Sequence, residues 1–393
     1  MTLAKAKTFL SDYRTTFVLW LMLGVVSGII KAHRGYNNFL IYKYVFWNTL
    51  EQNDLYLHYP EKFNDLNHYG PFFSLVIAPY ALMPEWLGVI LWNVSLAMLL
   101  YVAVRTSRFS RYEILFMLWY AAHDLLTCLF MTQFNIAVAA LILFSFTMTE
   151  QKKDFWAAFF ICAGVFVKLL GIVGLAFFFF SRNKTKFILS LCFWSIVMFV
   201  LPMLISSPEY VCDQYASWYH ALESKNMTNS GSRTTMNNIS LIGMVRRIFI
   251  NYNYSDLLVI IPGLAIVATG YFRIKQWTSP TFRKMVLAQM MLITILFSTG
   301  TENSSYVIAY VAIAIWYASV PWKRSNLDLF LLVYAFVFGS LLPTDLFPKS
   351  LQTSLIRPYA LRALPVTLIW LKLSWEMIRT NYIEREQQKL HII

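Results

Sequence analysis

The chain has 393 residues, 58% of them hydrophobic and only 13% charged, with a formal net charge of +13. A soluble domain carries about 25% charged residues, so a water-soluble globular enzyme is excluded, and the absence of ten-residue alternating segments excludes a β-barrel. The basic excess sits in short linkers between apolar tracts, which argues for membrane topology and against nucleic-acid binding.

The chain opens on "MTLAKAKTFLSDYRTT", polar and basic, with no small-residue cleavage site after the first apolar run; no cleaved signal peptide is expected. Apolar tracts then recur along the whole length, as in "FVLWLMLGVVSGII" and "LGVILWNVSLAMLLYVAV". They predict an all-α polytopic membrane protein built as a single integral domain, residues 1–393. Spans are expected near 15–32, 86–104, 112–130, 134–149, 187–205, 256–272, 285–299, 305–320, 328–345 and 360–378. Twenty of the 33 Lys and Arg fall in the linkers between them: Lys5, Lys7 and Arg14; Arg105, Arg108 and Arg111; Lys152 and Lys153; Arg182, Lys184 and Lys186; Arg273, Lys275, Arg283 and Lys284; Lys323 and Arg324; and Arg379, Arg385 and Lys389. The positive-inside rule makes these cytoplasmic, together with both termini. The loops 33–85 and 206–255, the turn 131–135, and 299–305 and 346–360 then face outward. The four cysteines are scattered and suggest neither a disulfide framework nor a metal cluster.

Residues 155–180, "FWAAFFICAGVFVKLLGIVGLAFFFF", have basic linkers on both sides. Two crossings of about 12 residues would each reach only about 18 Å, short of the roughly 30 Å hydrocarbon core. The reading is a re-entrant pair of short helices with Lys168 at its tip, beside a cavity. The alternative is one kinked span with a snorkelling lysine. With ten full spans, the pair makes about 12 membrane helices.

Polar groups from distant parts of the sequence fall on the outward side. The first loop contributes Asn38, Asp65, His68 and Tyr69. The turn 131–135 contributes Gln133 and Asn135. The large loop contributes Asn238, Ser240, Arg246 and Arg247, and Glu302 stands at the mouth of a later span. Asp65 and Glu302 are close to apolar sequence, and Arg246 and Arg247 run against the positive-inside bias. His123-Asp124 inside a span is either interhelical glue or part of a cavity. Carboxylates, amides and cations at a membrane surface suit a lipid-linked phosphosugar. Lys168, Arg246 and Arg247 would hold the phosphate. Asp65 or Glu302 would be the general base. Asn38, His68, Tyr69, Gln133, Asn135, Asn238 and Ser240 would meet sugar or acceptor. No metal or other cofactor is expected, because the cations would do a divalent ion's work. Transport of a lipid-linked sugar by a flippase, without bond cleavage, is the competing class.

The stretches "NNFLIYKY" and "NDLYLHYPEKFNDLNHYGPFFSLVIAPYALMP" resemble the first outer loop of glycosyltransferase family 87. "QFNIAVAAL" is similar to that family's Gln-x-Asn turn, "FVKLLGIVGLAFFFFSRNK" to its Lys-bearing re-entrant segment, and "NISLIGMVRR" to its Asn-x-Ser-Leu element. "STGTENSSYVIAY" sits where the family has a Trp-x-His element. A group of uncharacterised proteins from Bacteroides-type bacteria is more similar still. The resemblance implies a GT-C bundle that moves a hexose such as mannose from a polyprenyl-phosphate donor to a glycolipid or glycan. The reaction would invert the anomeric centre on the periplasmic face of a bacterial inner membrane. Three departures follow. The family's first-loop acid is Asn38 here, and an amide is no base. Gly70 replaces a proline, and Glu302 is the nearest substitute for the missing histidine.

Overall fold

The computed structural model describes residues 9–231, 237–251, 254–344 and 347–390. Lys5, Lys7 and the side chain of Lys389 lie outside them. Among the described residues there is no strand: the chain is an all-α membrane protein. Its helices are α1 (Tyr13–Arg34), α2 (Asn37–Glu51), α3 (Phe73–Ala81), α4 (Glu85–Thr106), α5 (Arg111–Tyr120), α6 (Ala122–Phe130), α7 (Asn135–Glu150), α8 (Asp154–Lys168) and α9 (Lys184–Val200). There follow α10 (Pro208–Gly231), α11 (Leu241–Ile248), α12 (Leu257–Tyr271), α13 (Pro280–Leu296), α14 (Tyr306–Ala318), α15 (Asn326–Tyr334), α16 (Ala363–Arg379) and α17 (Tyr382–Leu390). By length and composition α1, α4 and α9 with its extension to Leu204 are long enough to cross a membrane, and α5 and α6 make a fourth span if their 43° bend is counted within one. The remaining expected spans fall on shorter helices, such as α7, α12 and α14. The first loop carries α2 and α3, and the large loop carries α10 and α11.

The chain divides into two compact units: residues 1–108 with 125–225, and 109–124 with 226–393. In unit 1, α1 lies against α4 through Gly24 and Gly28; a Cβ on Gly28 would come within 2.7 Å of the Ile90 Cα. Asn93, wholly buried there, donates to Ser27 Oγ and to the Leu129 carbonyl, both at 3.1 Å. Such small-residue contacts and buried amides substitute for the hydrophobic effect, which cannot drive helices together in lipid. The helix α7 is buried along nearly its whole length.

Residues 155–180 form a helical hairpin. α8 ends at Leu169, whose φ of 55° is left-handed, and the chain returns as a 3-10 helix, Leu170–Phe180. Runs of 3-10 longer than three or four residues are uncommon. The sequence explains this one. With three residues per turn, Gly171, Gly174 and Phe177 share one face, and these three are buried while Ile172, Leu175 and Phe179 are exposed. That stripe packs on α8 and α7: a Cβ on Gly171 would lie 2.5 Å from the Gly164 Cα. Lys184 closes the return arm by donating to the carbonyls of Phe178, Phe179 and Ser181. Each arm spans about 22 Å, at 1.5 Å per residue for α and about 2.0 Å for 3-10, shorter than a hydrocarbon core of about 30 Å.

In unit 2, α13 and α14 form the buried centre. After α15 the chain turns into a π-helix, Ala335–Leu341, and a second π segment covers Gln352–Ile356. A widened helix leaves backbone carbonyls without their usual partners, and in lipid these must be satisfied by protein. Tyr310 Oη donates to the Ala335 carbonyl (2.5 Å) and Arg362 Nε to that of Gly339 (2.8 Å).

Candidate active site

The twelve residues expected at the site fall into two sets, one per unit. Seven are in unit 1. Gln133 Oε1 accepts from Tyr42 Oη at 3.1 Å and from Tyr69 Oη at 3.2 Å. The Tyr69 ring stacks on Phe73 with centroids 4.6 Å apart. Lys168, the last residue of α8, donates from Nζ to Asn135 Oδ1 (2.8 Å), and its ammonium lies 5.5 Å from the Tyr69 ring centroid. Among the described residues no carboxylate pairs with it. A cation at a helix C-terminus is favoured by the helix dipole, and here its charge is held by neutral groups and a π face.

The first loop is fastened onto this hairpin. Gly70 N–H donates to the Val167 carbonyl at 3.1 Å, one residue before Lys168. A Cβ at Gly70 would lie 2.2 Å from the Phe166 oxygen and 2.9 Å from the Trp218 ring. The approach therefore requires glycine, and this is the physical content of the Gly-for-Pro departure. Asn67 folds the loop by an Asx turn to Tyr69 N–H (3.0 Å). Asn37 brackets residue 64, accepting from its N–H (2.7 Å) and donating to its carbonyl (3.3 Å). Asn38, by contrast, spends its amide on the Met131 carbonyl (2.8 Å). Asp65 is exposed, and its Oδ1 accepts from Leu66 N–H (2.8 Å). His68 is held by its carbonyl, which accepts from Trp218 Nε1 (3.0 Å). Both of its ring nitrogens are buried without a hydrogen-bond partner. Burial, then the Lys225 charge, push the imidazole down to about 4, with Asp65 pulling the other way. His68 is therefore neutral at physiological pH, one nitrogen a donor and the other an acceptor.

The other five are in unit 2. Asn238, at a φ of 54°, accepts on Oδ1 from Ser240 Oγ (2.8 Å), and Ser240 caps α11 by accepting from Gly243 N–H (3.2 Å). This turn is tied to the loop before α14: Ile239 N–H donates to the Thr301 carbonyl (2.8 Å) and Tyr306 Oη to that of Ile239 (2.7 Å). Next to Thr301, Glu302 caps a short 3-10 turn with Ser305. The two arginines of α11 diverge, as neighbours on a helix must. Arg246 pairs with Asp256 at 2.7 Å, a charge contact without hydrogen-bond alignment, and lies over the Tyr254 ring. Arg247 donates to the carbonyls of Asn237 (2.7 Å) and Arg357 (3.0 Å). It lines a narrow cleft together with Asn303, Gln352, Arg357 and Arg362.

Arg362 and Asp124 were not among the expected site residues. They form a buried ion pair, and Asp124 Oδ2 accepts from Ser340 Oγ at 2.5 Å. That leaves the Ser340 oxygen to accept from His123 Nδ1–H (2.8 Å). His123-Asp124 is thus interhelical glue, built onto the π-helix. The sequence signal for Arg357 and Arg362 was the same as for Arg247: arginine in or beside segments expected to face outward, where positive charge is rare.

The profile of glycosyltransferase family 87 matches residues 67–299, well over half of the chain. The chain belongs to glycosyltransferase family 87. No curated protein matches it. The matched stretch of this family 87 glycosyltransferase contains His68, Gln133, Asn135, Lys168, Asn238, Ser240 and both arginines of α11. Asn38, Asp65, Glu302, Arg357 and Arg362 lie outside it.

Proposed function

We propose that this membrane glycosyltransferase transfers a hexose such as mannose from a polyprenyl-phosphate sugar to a glycolipid or glycan hydroxyl at the periplasmic face of a bacterial inner membrane. The observation that carries the reading is the fastening of the Asp65 loop onto the Lys168 hairpin through Gly70, in a family 87 chain. The acceptor oxygen attacks the anomeric carbon from the face opposite the phosphate. The bond from that carbon to the phosphate oxygen breaks, and its electron pair leaves on the polyprenyl phosphate. The acceptor proton passes to the carboxylate acting as base, and the configuration inverts. Negative charge grows on the leaving phosphate, so a cation that meets it stabilises the transition state more than the ground state; Lys168 in unit 1 and Arg247 in unit 2 are the candidates. Arg246, engaged by Asp256, is spent on holding α11.

Asp65 is the preferred base. One carboxylate oxygen holds its own loop and the other is uncommitted, whereas Glu302 is spent on the cap before α14. Neutral His68 offers a donor and an acceptor to sugar hydroxyls, and Gln133 and Tyr69 add a second polar edge. A protein cation serves where other glycosyltransferases use a divalent ion.

The test is transfer of radiolabelled sugar from polyprenyl-phosphate mannose and polyprenyl-phosphate glucose by purified protein. Asp65→Asn is expected to lower turnover by about 10²- to 10⁴-fold, the usual range for removing a general base, with little change in KM. Glu302→Gln is expected to cost less than tenfold. EDTA is expected to leave the rate within about twofold. Near-normal turnover in Asp65→Asn removes Asp65 from the mechanism, and label crossing a bilayer without transfer removes the mechanism itself.

A further inference from the structure

The cleft beside Arg247 holds a residue that the proposed reaction leaves unassigned. Arg357 is half-buried on the segment that follows the second π-helix, and its Nη2 donates to Gln352 Oε1 at 3.1 Å. That is its one side-chain hydrogen bond among the described residues, and no described carboxylate pairs with it. A guanidinium carries five N–H donors in a planar fork, so most of its capacity is unspent. Gln352 is fixed in turn, its Nε2 donating to the Thr344 carbonyl at 2.6 Å.

The rest of the cleft is arranged around the same point. Asn303 accepts from Arg362 Nη1 on both its Oδ1 (2.9 Å) and its carbonyl (3.0 Å), which fixes the amide plane. Its Nδ2 has no partner among the described residues, leaving a second donor. Arg362 is itself consumed by Asp124, Asn303, Gly339 and the Tyr306 ring, 4.2 Å away. It contributes rigidity and field, while contact falls to Arg357 and Asn303. The backbone is unusual on several sides. π-helices flank the cleft, and Ala360, which lines it, has a φ of 51°. Such irregularities concentrate at functional sites. The remaining walls are apolar: Ile239, Pro343, Ile356 and Ala360. Leu355 and Tyr359 on the same segment are exposed.

We infer that the Arg357 guanidinium and the Asn303 amide form an anion subsite for the phosphate of a polyprenyl lipid, with the isoprenoid chain leaving along the apolar wall. The subsite deepens the transfer reaction proposed above and rests on it for the identity of the lipid. Arg357 is placed to bind the departing phosphate in the product as well as the bridging phosphate of the donor. The product monoester carries about one charge more than the donor diester, so the subsite holds the product more tightly than a neutral pocket would.

The experiment measures binding of polyprenyl phosphate, the matched polyprenol and inorganic phosphate to the purified full chain in nanodiscs. The proteins are wild type, Arg357→Ala, Arg357→Lys and Asn303→Asp. Arg379→Ala, at the far end of α16 and about 24 Å from that helix's first residue, is the control. Arg357→Ala is expected to weaken polyprenyl phosphate by about 10- to 100-fold, the range for a charge-assisted hydrogen bond, and to leave polyprenol binding unchanged. Lysine is expected to restore part of the loss, because it keeps the charge without the fork. Asn303→Asp, which places a carboxylate against the anion, is expected to weaken polyprenyl phosphate by at least as much as Arg357→Ala. Wild-type polyprenyl-phosphate affinity in Arg357→Ala overturns the subsite, as does an Arg357 dependence seen only with inorganic phosphate. An equal loss in Arg379→Ala overturns it as well, by making the effect one of general surface charge. Arg357-dependent lipid binding by a chain that transfers no sugar leaves the subsite standing and removes the reaction. Normal transfer by Arg357→Ala does the reverse.

Discussion

Lys168 and Arg362 are both cations at helix ends, and they are held in opposite ways. Lys168 meets one amide oxygen and the face of a tyrosine. Arg362, 2% exposed, meets a carboxylate, a backbone carbonyl of the π-helix, both oxygens of Asn303 and an aromatic ring. The first arrangement leaves the charge held only by neutral groups; the second consumes it in architecture. A buried ion pair is costly to break, because its survivor is left charged and unpaired: about 3–5 kcal/mol. Asp124→Asn is therefore expected to destabilise the protein by about that amount, read as a large fall in the detergent unfolding midpoint. Lys168→Met keeps the aliphatic stem and loses only the ammonium. It is expected to unfold within about 1 kcal/mol of wild type while turnover falls by 10²-fold or more. Equal stability losses in the two variants would erase the distinction.

A second contrast lies between charge and shape in unit 1. The hairpin presents Lys168, but the loop that carries Asp65 and His68 reaches it only because residue 70 lacks a Cβ. Gly70→Ala must push back either the Phe166 carbonyl or the Trp218 ring. Overpacking of this kind typically costs about 1–3 kcal/mol, and it opens the bond from Gly70 N–H to Val167. The variant is expected to lose turnover without losing donor-phosphate affinity, since Lys168 is still held by Asn135. Loss of affinity at unchanged turnover would show that the fastening serves binding alone.

These contrasts also mark what could be read in the sequence. The hairpin was legible because charge on both flanks and a length of 26 residues admit few other solutions. The polar turns were legible because Gln133, Asn135 and Asn238 interrupt apolar sequence. The Asp124–Arg362 pair was not, because 238 residues separate its members and no local pattern joins them. Arg246 and Arg247 are adjacent, and only the helical phase, together with Asp256, decides which of them reaches the cleft. Tyr42 reads as one more interfacial aromatic until Gln133 is seen to accept from it. The π-helices have no sequence signature, being set by side chains from other helices that take up the freed carbonyls.

The smallest effect concerns His68, the neutral counterpart of Lys168 in the same unit. Its folded pKa of about 4 is below the 6.5 of an ordinary imidazole. Between those values the unfolded chain binds the proton and the folded chain does not, so unfolding is favoured as pH falls from 6.5 towards 4, and the effect vanishes above that range. One proton gives a slope of at most ~1.4 kcal/mol per pH unit. His68→Gln keeps a donor and an acceptor in the pocket and cannot titrate. Its stability is expected to fall less steeply than wild type between pH 6.5 and 5, and the two curves are expected to run parallel above pH 7. Superimposable slopes in the acid range would mean that His68 takes up its proton freely in the folded chain, through water reaching the ring. The imidazole would then be a charged group beside Lys168 at mildly acidic pH, and its proposed part in holding sugar hydroxyls as a neutral donor and acceptor would fail with it.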